Sequence, residues 1–211
     1  MKSAYLSNAL LEHNFDGTAF TQPTAYMALY TAYSGDDPST WTEVSAGGYS
    51  RVDVSGSFAS ASSESAASNA DISFGPSSAS WGTVGGWAML DASSGGNILY
   101  YGYLTAALKL FTALASDDTL YAPAHGLSDD DTVVVQDASD YALPTGLTQG
   151  TIYYVINGTT DTLQLSTSQG GSAINLTASG VGYIGEIATQ SVTASNITLT
   201  ISSGSLTLIE A

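Results

Sequence analysis

Residues 151–166, TIYYVINGTTDTLQLS, decide the fold class. Two short runs rich in β-branched and aromatic residues, Thr151–Ile156 and Thr162–Ser166, flank the dipeptide Asn157-Gly158. Such runs read as strands, and Asn-Gly tolerates the positive φ that a tight turn demands. The same rhythm extends outward. Upstream lie Thr119–Tyr121, then APAHGLSDDD at 122–131, TVVVQ at 132–136 and ALPTGLTQG at 142–150, where Gly146 and Gly150 mark turns. Downstream, GGSAINLTASG at 170–180 is expected to add one more strand. Residues 106–187 carry their own turns and their own apolar residues, and so read as a separate small β domain.

Outside this stretch the chain also alternates strand and turn, with one exception. Residues 3–14 predict a helix: Ser3 can cap it, Tyr5, Leu6, Ala9, Leu10 and His13 fall on one face, and Gly17 stops it. Strands are predicted at Ala25–Ala32 behind Pro23, at Tyr49–Val54, Asp71–Phe74, Gly86–Leu90 and Asn97–Tyr103. SGDDPST at 34–40 is a turn cluster, and DASSGGN at 91–97 reads as a hairpin connection. The Ser/Ala-rich stretch 55–69 fits either an extended strand or a loose loop, because its side chains bury little. Ile197–Ile201 and Ser205–Ile209 flank a Ser-Ser-Gly turn and predict a closing hairpin. Many short strands with turns every 8–12 residues or so argue for a sandwich or barrel.

Composition narrows the partners. Of 211 residues 44% are hydrophobic, enough for a packed core. No apolar run approaches the roughly 18 residues of a membrane span. The start, MKSAYLSNALLEH, lacks a signal-peptide layout, so the mature chain is expected to begin near Met1. Without cysteine there are no disulfides and no thiolate metal sites, which fits folding in a reducing cytosol. Three basic residues, Lys2, Arg51 and Lys109, face nineteen acidic ones, a formal net charge of −16. Nucleic acids and anionic membranes both need cations at the contact, so neither is expected as a partner. The acidic balance serves solubility or docking on a basic partner.

Five motifs belong together: the N-terminal helix ending at Gly17-Thr18-Ala19, the strand at Tyr26–Tyr30, Gly47–Arg51 (GGYSR, with Ser50 set before the arginine), Trp81-Gly82-Thr83 and Asp91–Tyr101. In this order they resemble a family of tailed-bacteriophage virion structural proteins, described as tail-fibre or capsid-decoration proteins. The resemblance covers residues 4–105 and resumes at 188–211, which implies that 106–187 is an insertion in a surface loop. The insertion in turn resembles a β module that recurs in phage virion proteins, on Ala122–Asp131, Leu143–Leu147, Thr151–Asn157 and Asp161–Ser166.

Chemistry finds little foothold. A Ser/His/Asp site needs a base, and the histidines are His13, beside the helix's apolar face, and His125, which is expected to order its turn through the ring nitrogens. Neither a nucleophile elbow nor a phosphate-binding Gly-Lys-Ser/Thr pattern is present. A glycosidase needs two carboxylates across a sugar cleft, and nothing fixes such a pair. Trp81 and Trp87 are read as core, and Trp41 with them could otherwise stack sugars. Ser128–Asp131 offers oxygen ligands without the spacing of a calcium loop, and Asp36-Asp37 offers less. In the pairs Tyr100-Tyr101 and Tyr153-Tyr154 one ring should point in and one out, the outward ones being candidates for subunit contacts.

The expected fold is therefore all-β: a jelly-roll-like antiparallel β-sandwich with one short N-terminal helix, over 1–105 plus 188–211, and an inserted, outward-facing β-barrel or sandwich over 106–187. The resemblance implies a structural protein at the virion surface, made in the host cytoplasm. It is expected to be no enzyme, to hold no cofactor or metal, and to form a homotrimer that contacts the major capsid protein or tail proteins. A capsid decoration (cement) protein that stabilises the shell is the preferred role. The alternatives are a tail-fibre or tail-tip component, or a carbohydrate-binding adhesin.

Overall fold

The computed structural model describes residues 1–32, 38–106, 108–138 and 141–209. The fold is all-β with one short N-terminal helix, several antiparallel sheets and a closed barrel of six strands. Its described residues divide into two compact units, one built from 1–32, 38–103 and 189–209, the other from Leu104–Ala188.

The first unit opens with α1 (Ala4–Phe15). Ser3 caps it, its hydroxyl oxygen accepting from the Leu6 amide at 3.1 Å, and Gly17 follows with a φ of +82° that L side chains rarely adopt. The apolar face predicted for this helix is not buried as a face: Leu6 is buried, but Tyr5 is 42% exposed and residues 11–19 are exposed throughout. Leu6 is the buried residue of the helix, while Ser7, Ala9 and Leu10 are half-buried.

The main sheet is built around β1 (Tyr26–Ala32), which pairs with β2 (Thr42–Glu43), β3 (Val52–Asp53) and β7 (Gly86–Leu90). All five residues of β7, GWAML, are buried, as expected of a strand covered on both faces. The turn 91–97 joins β7 to β8 (Ile98–Tyr103) as an antiparallel hairpin. Residues 1–3 extend the sheet beyond β8: Lys2 bridges Tyr100, and the Ser3 amide donates to the Leu99 carbonyl at 2.9 Å. The strand predicted over Tyr49–Val54 shrinks to β3, because Tyr49 and Arg51 turn their side chains to other work. The predicted turn at 34–37, with Asp36 and Asp37, lies outside the described residues; Pro38–Thr40 form a 3₁₀ turn.

Three further strands, β4 (Ser65–Ala67), β5 (Ile72–Phe74) and β6 (Gly82–Val84), find their partners at the far end of the chain. β15 (Gln190–Val192) pairs with β6, β16 (Leu199–Ile201) with β5, and β17 (Thr207–Ile209) with β4. The register offset stays constant to within one residue, so 190–209 runs antiparallel along 65–84 as one interrupted ladder. Buried Ser77 and Ser68 bridge the interruptions. Ser77 Oγ donates to the Ala194 carbonyl and accepts from the Ile197 amide, and Ser68 Oγ accepts from the Gly204 amide. This corrects the predicted closing hairpin. The turn forms, with the Ser205 amide donating to Ser202 O at 3.0 Å, but β16 and β17 do not pair with each other. Their backbone groups are taken by β5 and β4, while Asp71 and Ser68 catch the Ser203 and Gly204 amides.

The second unit is the barrel: β9 (Lys109–Leu114), β10 (Thr119–Tyr121), β11 (Thr132–Asp137), β12 (Ile152–Ile156), β13 (Thr162–Ser166) and β14 (Gly180–Glu186), closed in the order β10-β13-β12-β11-β14-β9. Closure leaves no unpaired sheet edge. Alternate residues point inward and form an apolar core that includes Phe111, Leu120, Val133, Val155, Leu163 and Ile184. The strand predicted at 170–180 is absent: Ile174 and Leu176 instead pack on the core from an irregular crossing segment, and the next strand begins at Gly180. Glycine is required at Gly182, where a Cβ would lie 2.5 Å from the Leu143 side chain and 2.9 Å from Phe111. The chain enters and leaves this unit side by side, with Thr105 bridging Ile187 and the Ala188 amide donating to Leu104 O at 2.7 Å.

Candidate functional site

Two of the sequence motifs of the first unit, Gly47–Arg51 and Asp91–Tyr101, meet at Arg51. Its Nε donates to Glu43 Oε1 at 2.8 Å and its Nη2 to Oε2 at 2.7 Å, a two-pronged pair with the carboxylate on β2. Nη1 donates to the carbonyls of Ala92 and Gly95, both at 2.7 Å, inside the β7–β8 turn. A planar fork of donors suits this task, and the bond to Glu43 raises the guanidinium pKa further. Asp91 finishes the turn by accepting from the Asn97 amide at 2.6 Å and from its side-chain nitrogen at 2.8 Å.

Tyr49 works beside it. Its hydroxyl donates to Glu43 at 3.3 Å and accepts from the Leu29 amide at 2.9 Å. Its ring stacks on Phe74 and meets Trp81 edge-on, with centroids 6.2 and 5.6 Å away. Trp81 Nε1 donates to Gly47 O at 2.9 Å. Gly47 has a φ of +64°, and a Cβ there would fall 2.5 Å from the Ala79 carbonyl oxygen, so the GGYSR turn needs glycine at this place. Burial, followed by the Glu43 charge, pushes the Tyr30 hydroxyl up to about 12. Burial also pushes Tyr49 well above the ordinary tyrosine range. Trp41 packs against Tyr30, Tyr101 and Tyr103, and Trp87 Nε1 donates to Tyr103 O at 3.2 Å. All three tryptophans are thus core residues, at 6–7% exposure. These charged and aromatic groups hold loops together.

In the barrel, the acidic residues serve turns. Asp129 Oδ1 accepts from the Gly158 amide at 2.7 Å, tying the acidic loop to the Asn157-Gly158 turn. Asp131 Oδ2 accepts from the Ser128 amide at 2.7 Å and Asp161 Oδ1 from Ala124 at 2.9 Å. Asp118 Oδ1 accepts from Leu176 at 2.8 Å, anchoring the crossing segment. The Ser128–Asp131 run considered for calcium is therefore spread over separate backbone donors, and no group of three potential ligands gathers among the described residues. His125 is buried and orders its turn through one ring nitrogen, Nδ1, which accepts from the Leu127 amide at 3.0 Å, while Nε2 is buried without a hydrogen-bond partner. His13, beside the apolar face, is exposed; its Nδ1 accepts from the Phe20 amide at 3.3 Å.

Several large apolar side chains are exposed among the described residues. On the barrel, Leu108, Leu110, Leu114, Tyr121, Tyr141 and Tyr183 are exposed; on α1, Leu11 and Phe15. In the adjacent tyrosine pairs, Tyr101 and Tyr153 are buried while Tyr100 and Tyr154 are half-buried. The most exposed tyrosines are thus others, Tyr121 and Tyr141. Sequence reasoning missed the β9 leucines because KLFTAL was not recognised as a strand. The available signal was the single alternation of Phe111 and Ala113 inward against Leu110 and Leu114 outward.

The acids of this chain cap its own turns, and its one arginine ties a hairpin to a strand. The family model described as podophage GP4 fiber I protein gp80 matches residues 1–128, and the chain belongs to that family. It is thereby a structural protein of a bacteriophage virion. The match takes in the whole Arg51 cluster and runs on through β9 and β10. No curated protein matches the chain.

Proposed function

We propose that this chain is a non-enzymatic component of the phage fibre, exposed at the virion surface. The observation that carries the reading is the family match, whose printed description is a fiber protein and whose extent includes the Arg51 cluster and the helix. That description favours a fibre over the shell-cementing role preferred from the sequence. The structure is compatible with display: loops are pinned by Arg51 and by aspartates instead of being left mobile around a cleft. Residues fixed in this way suit a load-bearing or contact role, where geometry must persist without a ligand.

The test is immunogold labelling of intact particles with antibody raised against the barrel segment. Gold confined to the fibres at the tail end is the expected result. Gold spread over the head would overturn the fibre reading in favour of capsid decoration.

A further inference from the structure

We propose that Asn157-Gly158 is a spontaneous deamidation site that the Asp129 carboxylate holds closed, and that its reaction unfastens a link between two turns of the barrel. This is the chain's single Asn-Gly dipeptide, and both residues are exposed in the turn between β12 and β13. The reaction needs only water. The Gly158 nitrogen attacks Asn157 Cγ, the new N–C bond closes a succinimide, and Nδ2 leaves as ammonia with the proton that the Gly158 nitrogen gives up. Water then adds to one imide carbonyl or the other and opens the ring to aspartate or to isoaspartate. A following glycine favours attack, because no Cβ shields its nitrogen.

The fold opposes that attack at both reacting groups. The Gly158 N–H, whose proton must leave, donates to Asp129 Oδ1 at 2.7 Å. A bond to a charged acceptor is among the stronger ones, and a carboxylate beside the nitrogen disfavours the negative charge that develops there as the proton departs. The same oxygen lies against the open side of the glycine, 3.1 Å from where a Cβ would stand. The Asn157 side chain is meanwhile engaged across the hairpin, Nδ2 donating to Gln164 Oε1 at 2.7 Å. Asp129 is held in place by its own loop. The Asp130 amide donates to Val155 O at 2.8 Å and the Val155 amide to Asp131 O at 3.0 Å, so the acidic loop is tied to β12. Asp129 is thus a positioning residue that acts through the Gly158 amide.

Reaction at this turn has a structural consequence. Gln164 joins two turns: its Oε1 accepts from Asn157, and its Nε2 donates to Asp117 O at 2.9 Å, between β9 and β10. An aspartate at 157 has no N–H to give Gln164, and it sets a second negative charge on the turn that Asp129 already holds. Isoaspartate adds a methylene to the main chain next to the paired residues Ile156 and Gln164. Either product loosens the link.

The test ages the full chain in mildly alkaline buffer and follows the chymotryptic peptide that carries Asn157 by mass spectrometry. Each event replaces an amide NH₂ by a hydroxyl and is read as the matching mass gain. The folded chain is expected to react at Asn157 at least about tenfold more slowly than the same chain unfolded in guanidinium, the factor that breaking one hydrogen bond to a charged group implies. Asp129→Ala should recover most of that difference. Asp129→Asn, which keeps an oxygen for the Gly158 amide without the charge, should fall between. Asp131→Ala, which removes the acceptor of the Ser128 amide in the same loop, should leave the rate near that of the unsubstituted chain. Circular dichroism verifies that each variant keeps its strands. Equal rates in the folded and unfolded chain overturn the proposal. So does an Asp129→Ala rate no faster than that of the unsubstituted chain, since the carboxylate would then be idle or acting as the base. Acceleration by Asp131→Ala as large as by Asp129→Ala overturns it as well, because loosening of the loop would then suffice. Asn157→Asp should lower the barrel's calorimetric transition; an unchanged transition overturns the consequence drawn for the link through Gln164.

Discussion

In the barrel, every strand finds both of its neighbours between Lys109 and Glu186. In the first unit, β4, β5 and β6 are paired by strands that the chain reaches only after the barrel has been made. Val84 meets Gln190 and Ser65 meets Ile209. The two units also differ in what fills them. The barrel core is mostly aliphatic around Phe111 and Tyr153, while the first unit clusters tryptophan and tyrosine around a bonded arginine. A contiguous unit closes on short loops; a split one must hold strands unpaired until a distant segment returns, and long-range pairing of this kind is slow and exposes edges meanwhile. The loops of the first unit are correspondingly fastened by directional bonds, from Arg51, Ser68 and Ser77.

The sharpest way to break this contrast is a stop after Ala188. Ile72, Phe74 and Val84, each no more than 1% exposed, lose their covering strands. The first unit should lose its cooperative transition altogether, forfeiting a stability of about 5–15 kcal/mol. The barrel should persist as a protease-resistant fragment. Survival of both calorimetric transitions would contradict the account. Next in size is Phe111→Ala, which removes a ring 1% exposed from the barrel core. It should cost about 3–5 kcal/mol, and calorimetry should show the barrel transition falling while the other stays in place.

Arg51→Met should act on the other unit. It leaves the Glu43 carboxylate and the Ala92 and Gly95 carbonyls without their donor. A cost of about 2 kcal/mol is expected in urea titration, less than for a fully buried pair because Glu43 is 28% exposed. A change within about 0.5 kcal/mol would show that the cluster is an ordinary surface pair. The smallest effect near neutrality comes from Tyr30 and Tyr49. Both hydroxyls titrate higher in the folded chain than the usual 10.0, Tyr30 at about 12. The folded state therefore holds these protons more tightly than the unfolded one. Their contribution is complete below pH 10 and is lost as pH rises from there through about 12. Tyrosinate absorbance should rise together with unfolding of the first unit; full ionisation with that unit still folded would contradict the assignment.

The legible parts of this molecule are those specified by local chemistry. Ser3 and Gly17 delimit the helix, DASSGGN joins β7 to β8, and Asn157-Gly158 joins β12 to β13, each needing only residues that adjoin in sequence. What could not be read was decided at a distance. The Ser-Ser-Gly turn looks like a hairpin until β4 and β5 compete for its arms. β14 escaped notice because Gly180, Gly182 and Gly185 weaken its strand signal, and those glycines exist to admit Leu143, Phe111 and neighbouring chain. The candidate surface was half visible. Tyrosine richness pointed to contacts, but which tyrosines stay exposed depends on registers with β9 that no local pattern encodes. The roles of Trp81 and Trp87 as core, and of His125 as a turn residue, followed from residue type and neighbours, whereas the burial of Trp41 against Tyr30, Tyr101 and Tyr103 did not.

The central claim is that residues 65–84 and 190–209 form one ladder that the barrel interrupts without supporting. The direct measurement is hydrogen exchange on a chain from which Leu104–Ala188 has been removed. Tyr103 and Thr189 are then joined by a short Gly-Ser linker, since the flanking residues 104 and 188 are already hydrogen-bonded to each other. The account predicts that the amides of β5 and β16 stay as protected as in the full chain. Exchange of those amides at unfolded rates would show that the first unit depends on the barrel, and would contradict it.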